Sequence, residues 1–184
     1  MKLKTALCKF VYHNILRWKA EVSVPDFKKC IICAAPHTSN LDLIMGKLFI
    51  GAVGRKSGFM MKKEWFVWPL GYIFRAMGGI AVNRSKRNGS LVADTVEKAN
   101  NSETFRIAIT PEGTRKANAR WKKGFYNIAL EAKLPIVLLG IDYKRKIVSA
   151  TQYLIPSGDY EVDLAQIKSF FTQFTARHPA QFAI

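Results

Sequence analysis

The sequence predicts an α/β fold: a largely parallel sheet flanked by helices, preceded by a basic amphipathic helix at the N-terminus. Short apolar segments alternate along the chain with segments of helical periodicity, which is the pattern of strands crossed over by helices. The 184 residues suit one compact domain. With 49% hydrophobic and 23% charged residues, the composition is that of an ordinary globular protein. We therefore expect a single domain over residues 21–184, after a separate helix at 1–20.

Residues 2–19 form the first predicted element, a helix with one apolar stripe. Its apolar positions are Leu3, Leu7, Phe10, Val11, Ile15 and Trp18, and its basic ones are Lys2, Lys4, Lys9, Arg17 and Lys19. Such a helix either docks on an anionic membrane surface or packs on its own domain. We favour docking, because no stretch approaches the ~20 apolar residues of a spanning helix. The expected location is cytoplasmic, peripheral to the inner face of the membrane.

The remaining elements follow from periodicity and from turn residues. Strands are predicted at 30–36, 58–61, 79–83, 106–110, 135–141 and 147–154. Helices are predicted at 41–54, 90–100, 121–132 and 164–174, and the aromatic segment 62–79 is a helical stretch broken at Pro69. The alternation favours mostly parallel pairing of the strands.

Charge and cysteine content restrict the class of partner and the compartment. The chain has 29 Lys and Arg against 13 Asp and Glu, a net charge of +16, which indicates an anionic partner such as lipid headgroups, a phosphorylated substrate or nucleic acid. The three cysteines, Cys8, Cys30 and Cys33, are too few and odd in number for a disulfide framework, which suits a reducing cytoplasm. Because Cys30 and Cys33 lie in an apolar stretch without a second pair, we expect buried core thiols rather than a metal or redox site.

The segment HTSNLD contains the first candidate for chemistry, His37 and Asp42. If His37 follows a strand and Asp42 lies in the first turn of the next helix, the turn can fold the carboxylate back toward the imidazole. The carboxylate would orient the ring and leave one nitrogen free to accept a proton, as in a general base. Taken alone, His37 is more often a structural hydrogen-bonding residue, and Asp42 a carboxylate at a helix N-terminus.

The segment TPEGTR, Thr110 to Arg115, is the second candidate. Pro111 and Gly113 predict a turn after a buried strand, at the sheet edge where α/β proteins tend to bind ligands. Arg115 suits a phosphate group, and Glu112 can hold that arginine or bind a substrate hydroxyl. The alternative is a surface turn with one ion pair. Two further basic sites, Lys62–Lys63 and Arg84 at the end of GGIAVNR, are ordinary solvated charges when read singly, and no ATP or dinucleotide fingerprint is present.

These motifs in this order resemble those of the glycerolipid acyltransferase family, which includes the lysophosphatidate acyltransferases. The resemblance covers roughly residues 30–142 and includes HTSNLD, GGIAVNR, TPEGTR and LPIVLLG. Pro36 replaces the asparagine that many members have before the histidine, and Thr110 replaces an aromatic residue. The resemblance implies that His37 and Asp42 are catalytic, and that the acceptor is bound by Lys63 (favoured over Lys62), Arg84, Glu112, Gly113, Thr114 and Arg115.

The activity that the resemblance implies is transfer of a fatty acyl group to a hydroxyl of a lysophospholipid or related glycerolipid. The donor would be acyl-CoA or acyl-carrier protein, with no metal and no other cofactor. Backbone N–H groups near Ser39 and Asn40 are candidate oxyanion donors, and the aromatics between Trp65 and Phe74 could line an acyl channel or simply form core. The alternatives are a non-catalytic basic lipid-binding domain and a nucleic-acid-binding domain. Nucleic acid is not the expected partner, because no binding motif accompanies the charge.

Overall fold

A computed structural model describes residues 2–82 and 88–184 of the chain. Its helices are α1 (Lys2–Lys9), α2 (Leu41–Ala52), α3 (Leu70–Ala76), α4 (Asn88–Asn100), α5 (Gly124–Glu131) and α6 (Tyr160–Phe171). Its strands are β1 (Lys19–Val22), β2 (Lys29–Ala35), β3 (Gly58–Lys62), β4 (Gly79–Val82), β5 (Phe105–Ile109), β6 (Ile136–Asp142) and β7 (Ile147–Leu154). A π-helical turn, Phe10–Ile15, continues α1, and 3-10 turns lie at Lys63–Trp65 and Pro179–Gln181.

The strands form one seven-stranded sheet in the order β1-β7-β6-β2-β5-β3-β4. Every neighbouring pair is parallel except β6 and β7, which are antiparallel. The predicted class, a largely parallel α/β sheet flanked by helices, is therefore confirmed. As a result, β2, β3, β4, β5 and β6 all end at the same edge of the sheet, which we call the carboxyl edge.

Side chains alternate along the central strands between two hydrophobic clusters, one on each face of the sheet. On β2, Ile31 and Cys33 face the cluster that contains side chains of α4, α5 and α6, whereas Cys30 and Ile32 face the cluster that contains α2 and the N-terminal segment. Cys30 and Cys33 are therefore buried on opposite faces, as core thiols. Burial raises the pKa of Cys30 to about 11, so the thiol stays protonated at neutral pH.

The N-terminal segment differs from the single helix predicted over 2–19. The helical conformation ends at Ile15, Trp18 is buried in the core, and Lys19 begins a strand that the sequence pattern did not predict. Tyr12 is completely buried beside Phe49 of α2, so this part of the segment belongs to the domain core. No helix in the described part of the chain is both long and apolar enough to cross a bilayer.

The aromatic segment after β3 also departs from the prediction. Helical structure is confined to the short turn Lys63–Trp65 and to α3, which begins directly after Pro69. Trp68 is 90% exposed and Tyr72 is 79% exposed. Neither side chain lies in the core, so the core expectation is wrong for these two residues, and the acyl-channel expectation stays a prediction.

Candidate active site

The carboxyl edge of the sheet brings two of the sequence motifs together. His37 lies two residues beyond the end of β2, and the segment Thr110–Arg115 follows β5. The two strands are parallel neighbours, with Cys33 paired to Ile109 near their carboxyl ends. Segments that leave adjacent parallel strands at the same edge start side by side, and ligands of open α/β sheets bind at such an edge.

His37 and Asp42 are in direct contact across the turn between β2 and α2. The Nδ1 atom of His37 lies 3.3 Å from Oδ2 of Asp42, and Asp42 is in the first turn of α2, which begins at Leu41. The turn thus folds the carboxylate back onto the ring. Because Nδ1 faces Asp42, Nε2 is the nitrogen available to another group, and the side chain of His37 is 23% exposed.

The carboxylate of Asp42 is held in one orientation by three further hydrogen bonds. Its Oδ2 accepts from the backbone N–H groups of Thr38, at 2.7 Å, and Ser39, at 2.8 Å. Its Oδ1 accepts from the hydroxyl of Tyr143 at 2.7 Å. Asp42 is only 4% exposed, so these contacts replace water around a buried group. A carboxylate fixed on all sides can fix the plane of the imidazole that it contacts.

Tyr143 is a member of the site that the sequence analysis missed. It directly follows β6, whose carboxyl end lies at the same edge as that of β2, and it is 101 residues from Asp42 in the chain. Burial, together with the hydrogen bond to Asp42 and its charge, raises the pKa of Tyr143, so the hydroxyl remains a donor. The available signal was its place directly after a strand that is apolar up to its last residue, Asp142.

Of the two residues proposed to supply oxyanion donors, Ser39 already uses its backbone N–H within the turn, and the role of Asn40 stays a prediction. Thr38 and Ser39 donate to Asp42, and the N–H of Leu41 donates to Oγ of Ser39 at 3.2 Å. These three groups therefore point inward at the turn itself. The expectation fails for them because Asp42, rather than a substrate, satisfies the donors that precede α2.

Glu112 binds the backbone of His37 from the buried side of the site. Its Oε1 accepts from the His37 N–H at 2.7 Å, and its side chain is fully buried. Burial raises the pKa of Glu112 to about 8, more strongly than the backbone hydrogen bond lowers it, and the charge of Asp42 adds to the rise. At neutral pH the side chain is mostly protonated. It holds the histidine backbone in place and does not hold Arg115, which contacts Asn40 instead.

The remaining residues of the TPEGTR segment form a compact loop. Gly113 has a positive φ of 66°, a conformation that favours glycine, and its N–H donates to the carbonyl of Thr110. The Oγ1 of Thr114 accepts from Lys116 N–H, at 3.2 Å. Arg115 is exposed and donates to the side-chain oxygen of Asn40, which joins this loop to the turn that carries His37.

Two of the other predicted basic residues, Lys62 and Lys63, lie further along the same edge. Lys62 ends β3, Lys63 begins the turn after it, and both side chains are exposed. Because β5 separates β3 from β2 in the sheet, they are two strands away from His37. Arg84, proposed for phosphate binding, lies outside the described residues, two positions beyond the end of β4.

The C-terminal segment also contacts the turn. The N–H of Tyr143 donates to the carbonyl of Thr175 at 2.9 Å, and the N–H of His178 donates to Oγ1 of Thr38 at 3.3 Å. Residues at the end of the chain therefore support both the tyrosine and the backbone next to His37. Sequence patterns offered no signal for this contact.

A parallel α/β sheet with a histidine–carboxylate pair and an arginine loop at its carboxyl edge defines a class of proteins that bind and act on ligands at that edge. The comparisons with known proteins specify that class. A family model described as Acyltransferase matches residues 12–142. The chain therefore belongs to this acyltransferase family.

The individual proteins to which this chain is similar are also named as acyltransferases. The 1-acyl-sn-glycerol-3-phosphate acyltransferases of Limnanthes alba and Limnanthes douglasii are each 32% identical over 119 residues, which is 60% of this chain and 40% of theirs. This chain thus matches less than half the length of these curated relatives. The crystal structure of the 1-acyl-sn-glycerophosphate acyltransferase PlsC from Thermotoga maritima has the same fold, with a TM-score of 0.64, 20% identity, and coverage of 94% of this chain and 76% of that one.

Proposed function

We propose that this protein transfers a fatty acyl group from a thioester donor to a hydroxyl of a lysophosphatidate or related lysolipid acceptor. The observation that carries the proposal is the contact between His37 Nδ1 and Asp42 Oδ2, at the ligand-binding edge of a chain in the acyltransferase family. The named activity of the relatives, 1-acyl-sn-glycerol-3-phosphate acyltransferase, supports the choice of acceptor. The proposed donor is acyl-CoA or acyl-carrier protein.

In the proposed reaction, Nε2 of His37 accepts the proton of the acceptor hydroxyl as its oxygen attacks the thioester carbonyl. Asp42 stabilises the imidazolium through Nδ1 and keeps the ring oriented, while Tyr143 and two backbone amides hold Asp42. Collapse of the tetrahedral intermediate breaks the C–S bond. The departing thiolate takes the proton back from Nε2, so the histidine returns to its starting state. No covalent enzyme intermediate is required.

The acceptor phosphate is assigned to the basic groups along the carboxyl edge. Arg115 is exposed beside the His37 turn, and its planar guanidinium suits a phosphate better than a lysine does. Lys63 lies at the end of β3, and the sequence places Arg84 just after β4. The loop Glu112–Thr114 is proposed to position Arg115 through its backbone turn, since the Glu112 side chain contacts His37. We propose that these residues together bind the acceptor.

The protein is proposed to work at the inner face of a membrane as a peripheral enzyme. A lysolipid acceptor resides in the bilayer, and the net charge of +16 favours an anionic leaflet. On the N-terminal segment, four large apolar side chains remain exposed: Leu3, Leu7, Phe10 and Ile15. This exposed stripe supports the docking role proposed for residues 1–20.

The proposal is tested by incubating the purified protein with radiolabelled acyl-CoA, or acylated carrier protein, and a panel of lysolipids that differ in headgroup. We expect acyl transfer to phosphate-bearing acceptors. His37→Ala should lower kcat at least about a hundredfold, the lower range for a general base. Asp42→Asn should also be slow, since an amide cannot stabilise the imidazolium. His178→Ala is the matched control, because only its backbone is seen to contact the site. Near wild-type turnover by His37→Ala would refute the mechanism.

Arg115→Ala tests the phosphate assignment separately. Loss of a charge-assisted contact worth ~1.5–3 kcal/mol should raise the KM for the acceptor about ten- to a hundredfold and leave the donor KM unchanged. Arg120→Ala is the control, since Arg120 is an exposed arginine of the same loop region. A preferred acceptor without an anionic group, or a change confined to donor KM, would refute the assignment.

A further inference from the structure

The segment between β3 and β4 presents an unusual surface. Six large apolar side chains within residues 65–73 are exposed: Trp65 (44%), Val67 (60%), Trp68 (90%), Leu70 (43%), Tyr72 (79%) and Ile73 (50%). We call this set the aromatic patch. Single exposed apolar residues need no explanation, but six of them within one short surface segment indicate an interaction site.

The aromatic patch is built on an ordered backbone. Phe66 and Phe74 face inward, with ring centroids 6.1 Å apart, and Arg75 lies over the Phe66 ring. Gly71 is buried, and its N–H donates to the carbonyl of Val67 at 2.6 Å. A Cβ at Gly71 would lie 2.4 Å from the carbonyl oxygen of Phe66, so only glycine permits this close turn. The inner residues thus fix the segment, and the outer ones remain free to make contacts.

The chemistry of the aromatic patch favours a bilayer as the partner. Tryptophan and tyrosine combine a large apolar body with a polar tip and are preferred at the membrane–water interface. Basic side chains flank the patch on both sides: Lys62 and Lys63 precede it, and Arg75 follows it, with Glu64 the one acidic residue between 62 and 75. These three basic residues, which we call the basic rim, give the segment a positive charge that is complementary to an anionic lipid surface.

A second copy of the chain fits the same patch less well. Each copy carries a net charge of +16, and two basic rims would face each other across a symmetric contact. Repulsion between like charges therefore opposes self-association through this face. An anionic leaflet offers the opposite charge together with an apolar layer only a few ångströms below its surface.

From these observations we infer that the aromatic patch inserts into the interface of an anionic membrane, as a contact separate from the N-terminal helix. Lys63, which begins the turn before the patch, follows β3 at the carboxyl edge where His37 and Arg115 are placed. Insertion at this position brings the carboxyl edge to the membrane. An acceptor could then move from the bilayer toward the site without crossing bulk water. The inference concerns membrane contact and does not require that the proposed acyl transfer be correct.

Tryptophan fluorescence can report this insertion directly. Of the four tryptophans, Trp18 and Trp121 are buried, whereas Trp65 and Trp68 belong to the patch. The full chain carrying Trp65→Phe is mixed with vesicles of phosphatidylcholine and phosphatidylglycerol (about 7:3) that contain a lipid with a spin label near the headgroup. We expect quenching that disappears when Trp68→Phe is added. Vesicles of phosphatidylcholine alone should quench much less.

Binding is measured in parallel by sedimentation with the same vesicles. Trp68→Ser with Tyr72→Ser should lower the partition coefficient at least about tenfold, the effect expected when a large apolar side chain is no longer buried in the interface. The matched control is Ile155→Ser with Val162→Ser, two exposed apolar positions elsewhere, which should leave binding unchanged. Circular dichroism verifies that both variants are folded.

Three outcomes would overturn the inference. The first is a folded Trp68→Ser, Tyr72→Ser variant that binds anionic vesicles like the parent protein, together with an absence of lipid quenching of Trp68 in the Trp65→Phe protein. The second is quenching that is equal with neutral vesicles, which would remove the role of the basic rim. The third is a concentration-dependent dimer in solution that the double substitution abolishes while lipid quenching is absent, which would make the occupant a second copy. None of these measurements depends on acyl transfer.

Discussion

Asp42 is the residue through which distant parts of the chain meet at the site. It contacts His37 from within its own turn, and it accepts a hydrogen bond from Tyr143, which arrives from β6. Glu112 adds a second long-range contact by accepting from the backbone of His37. The histidine is thus held through its ring by one carboxyl group and through its backbone by another. The first is tied to a tyrosine, and the second is mostly protonated at neutral pH because of burial.

Tyr143→Phe should lower kcat about tenfold and leave both KM values unchanged. It removes only the hydroxyl that donates to Asp42, a hydrogen bond to a charged group worth about 1.5 kcal/mol or more. The ring would stay packed edge-on against Trp18, with centroids 5.1 Å apart. Steady-state kinetics with the preferred acceptor gives the measurement, and Tyr153→Phe, at an exposed tyrosine, is the control.

A double-mutant comparison distinguishes positioning from a general structural effect. In an Asp42→Asn background, Tyr143→Phe should lower kcat only slightly further, because the carboxylate that Tyr143 holds is already gone. Full additivity of the two effects, or a rise in acceptor KM at constant kcat, would show that Tyr143 does not act through Asp42.

Glu112 should make the protein less stable as pH rises from about 5 to 8. Its pKa is about 8 in the folded chain against an ordinary value of 4.5, so the folded state retains a proton that the unfolded state releases. Within this window the free energy of unfolding falls with pH, by up to about 1.4 kcal/mol per unit from this group. Glu112→Gln removes the titrating carboxyl group. The free energy of unfolding of this variant, relative to that of the parent protein, should therefore increase from pH 5 to pH 8.

Urea unfolding of both proteins at pH 5, 6.5 and 8 measures this difference. Glu161→Gln is the control, because Glu161 is exposed and should give no such trend. A difference between the Glu112→Gln variant and the parent protein that stays constant with pH would mean that Glu112 is ionised in the folded protein.

Among the elements, the N-terminal segment has apolar side chains both on its solvent side and on its core side. Leu3, Leu7 and Phe10 face solvent, whereas Tyr12 and Trp18 are buried in the cluster that also contains α2. The alternatives of membrane docking and packing on the domain are therefore not exclusive. Deleting residues 1–20 would remove core side chains along with the exposed stripe, so point substitutions are the sharper test.

Leu3→Ser combined with Leu7→Ser and Phe10→Ser should leave the protein folded and weaken its binding to anionic vesicles. Each side chain contributes ~1.5 kcal/mol when buried in the interface, so the partition coefficient should fall at least about a hundredfold. Tyr12→Ala should instead destabilise the fold by ~3–5 kcal/mol, as large core truncations do. Vesicle sedimentation and thermal unfolding give the two measurements. Unchanged vesicle binding by the folded triple variant would assign membrane contact to another surface.

At the scale of the whole molecule, the direction of the strands organises the site. Five strands end at the carboxyl edge, and the segments that follow β2, β5 and β6 contribute His37, Glu112 and Tyr143 respectively. The end of β3 and the turn after it extend the same edge with the basic residues Lys62 and Lys63. The net charge of +16 then acts on the molecule as a whole, because it favours approach to an anionic surface from any direction. The local chemistry of the edge and of the exposed apolar surfaces then determines the orientation of the protein relative to that surface.

The sequence by itself determined the features that depend on residues close to one another along the chain. Apolar periodicity predicted the α/β class and most strands, and the turn between a strand and a helix placed His37 near Asp42. The tertiary structure alone decided that Tyr143 holds Asp42, that Glu112 is buried beneath His37 instead of pairing with Arg115, and which side chains around Trp68 remain exposed. The physical reason is that periodicity encodes which face of an element is apolar, whereas contacts between distant segments depend on strand order. Strand order is fixed by the packing of the whole chain and leaves no local pattern.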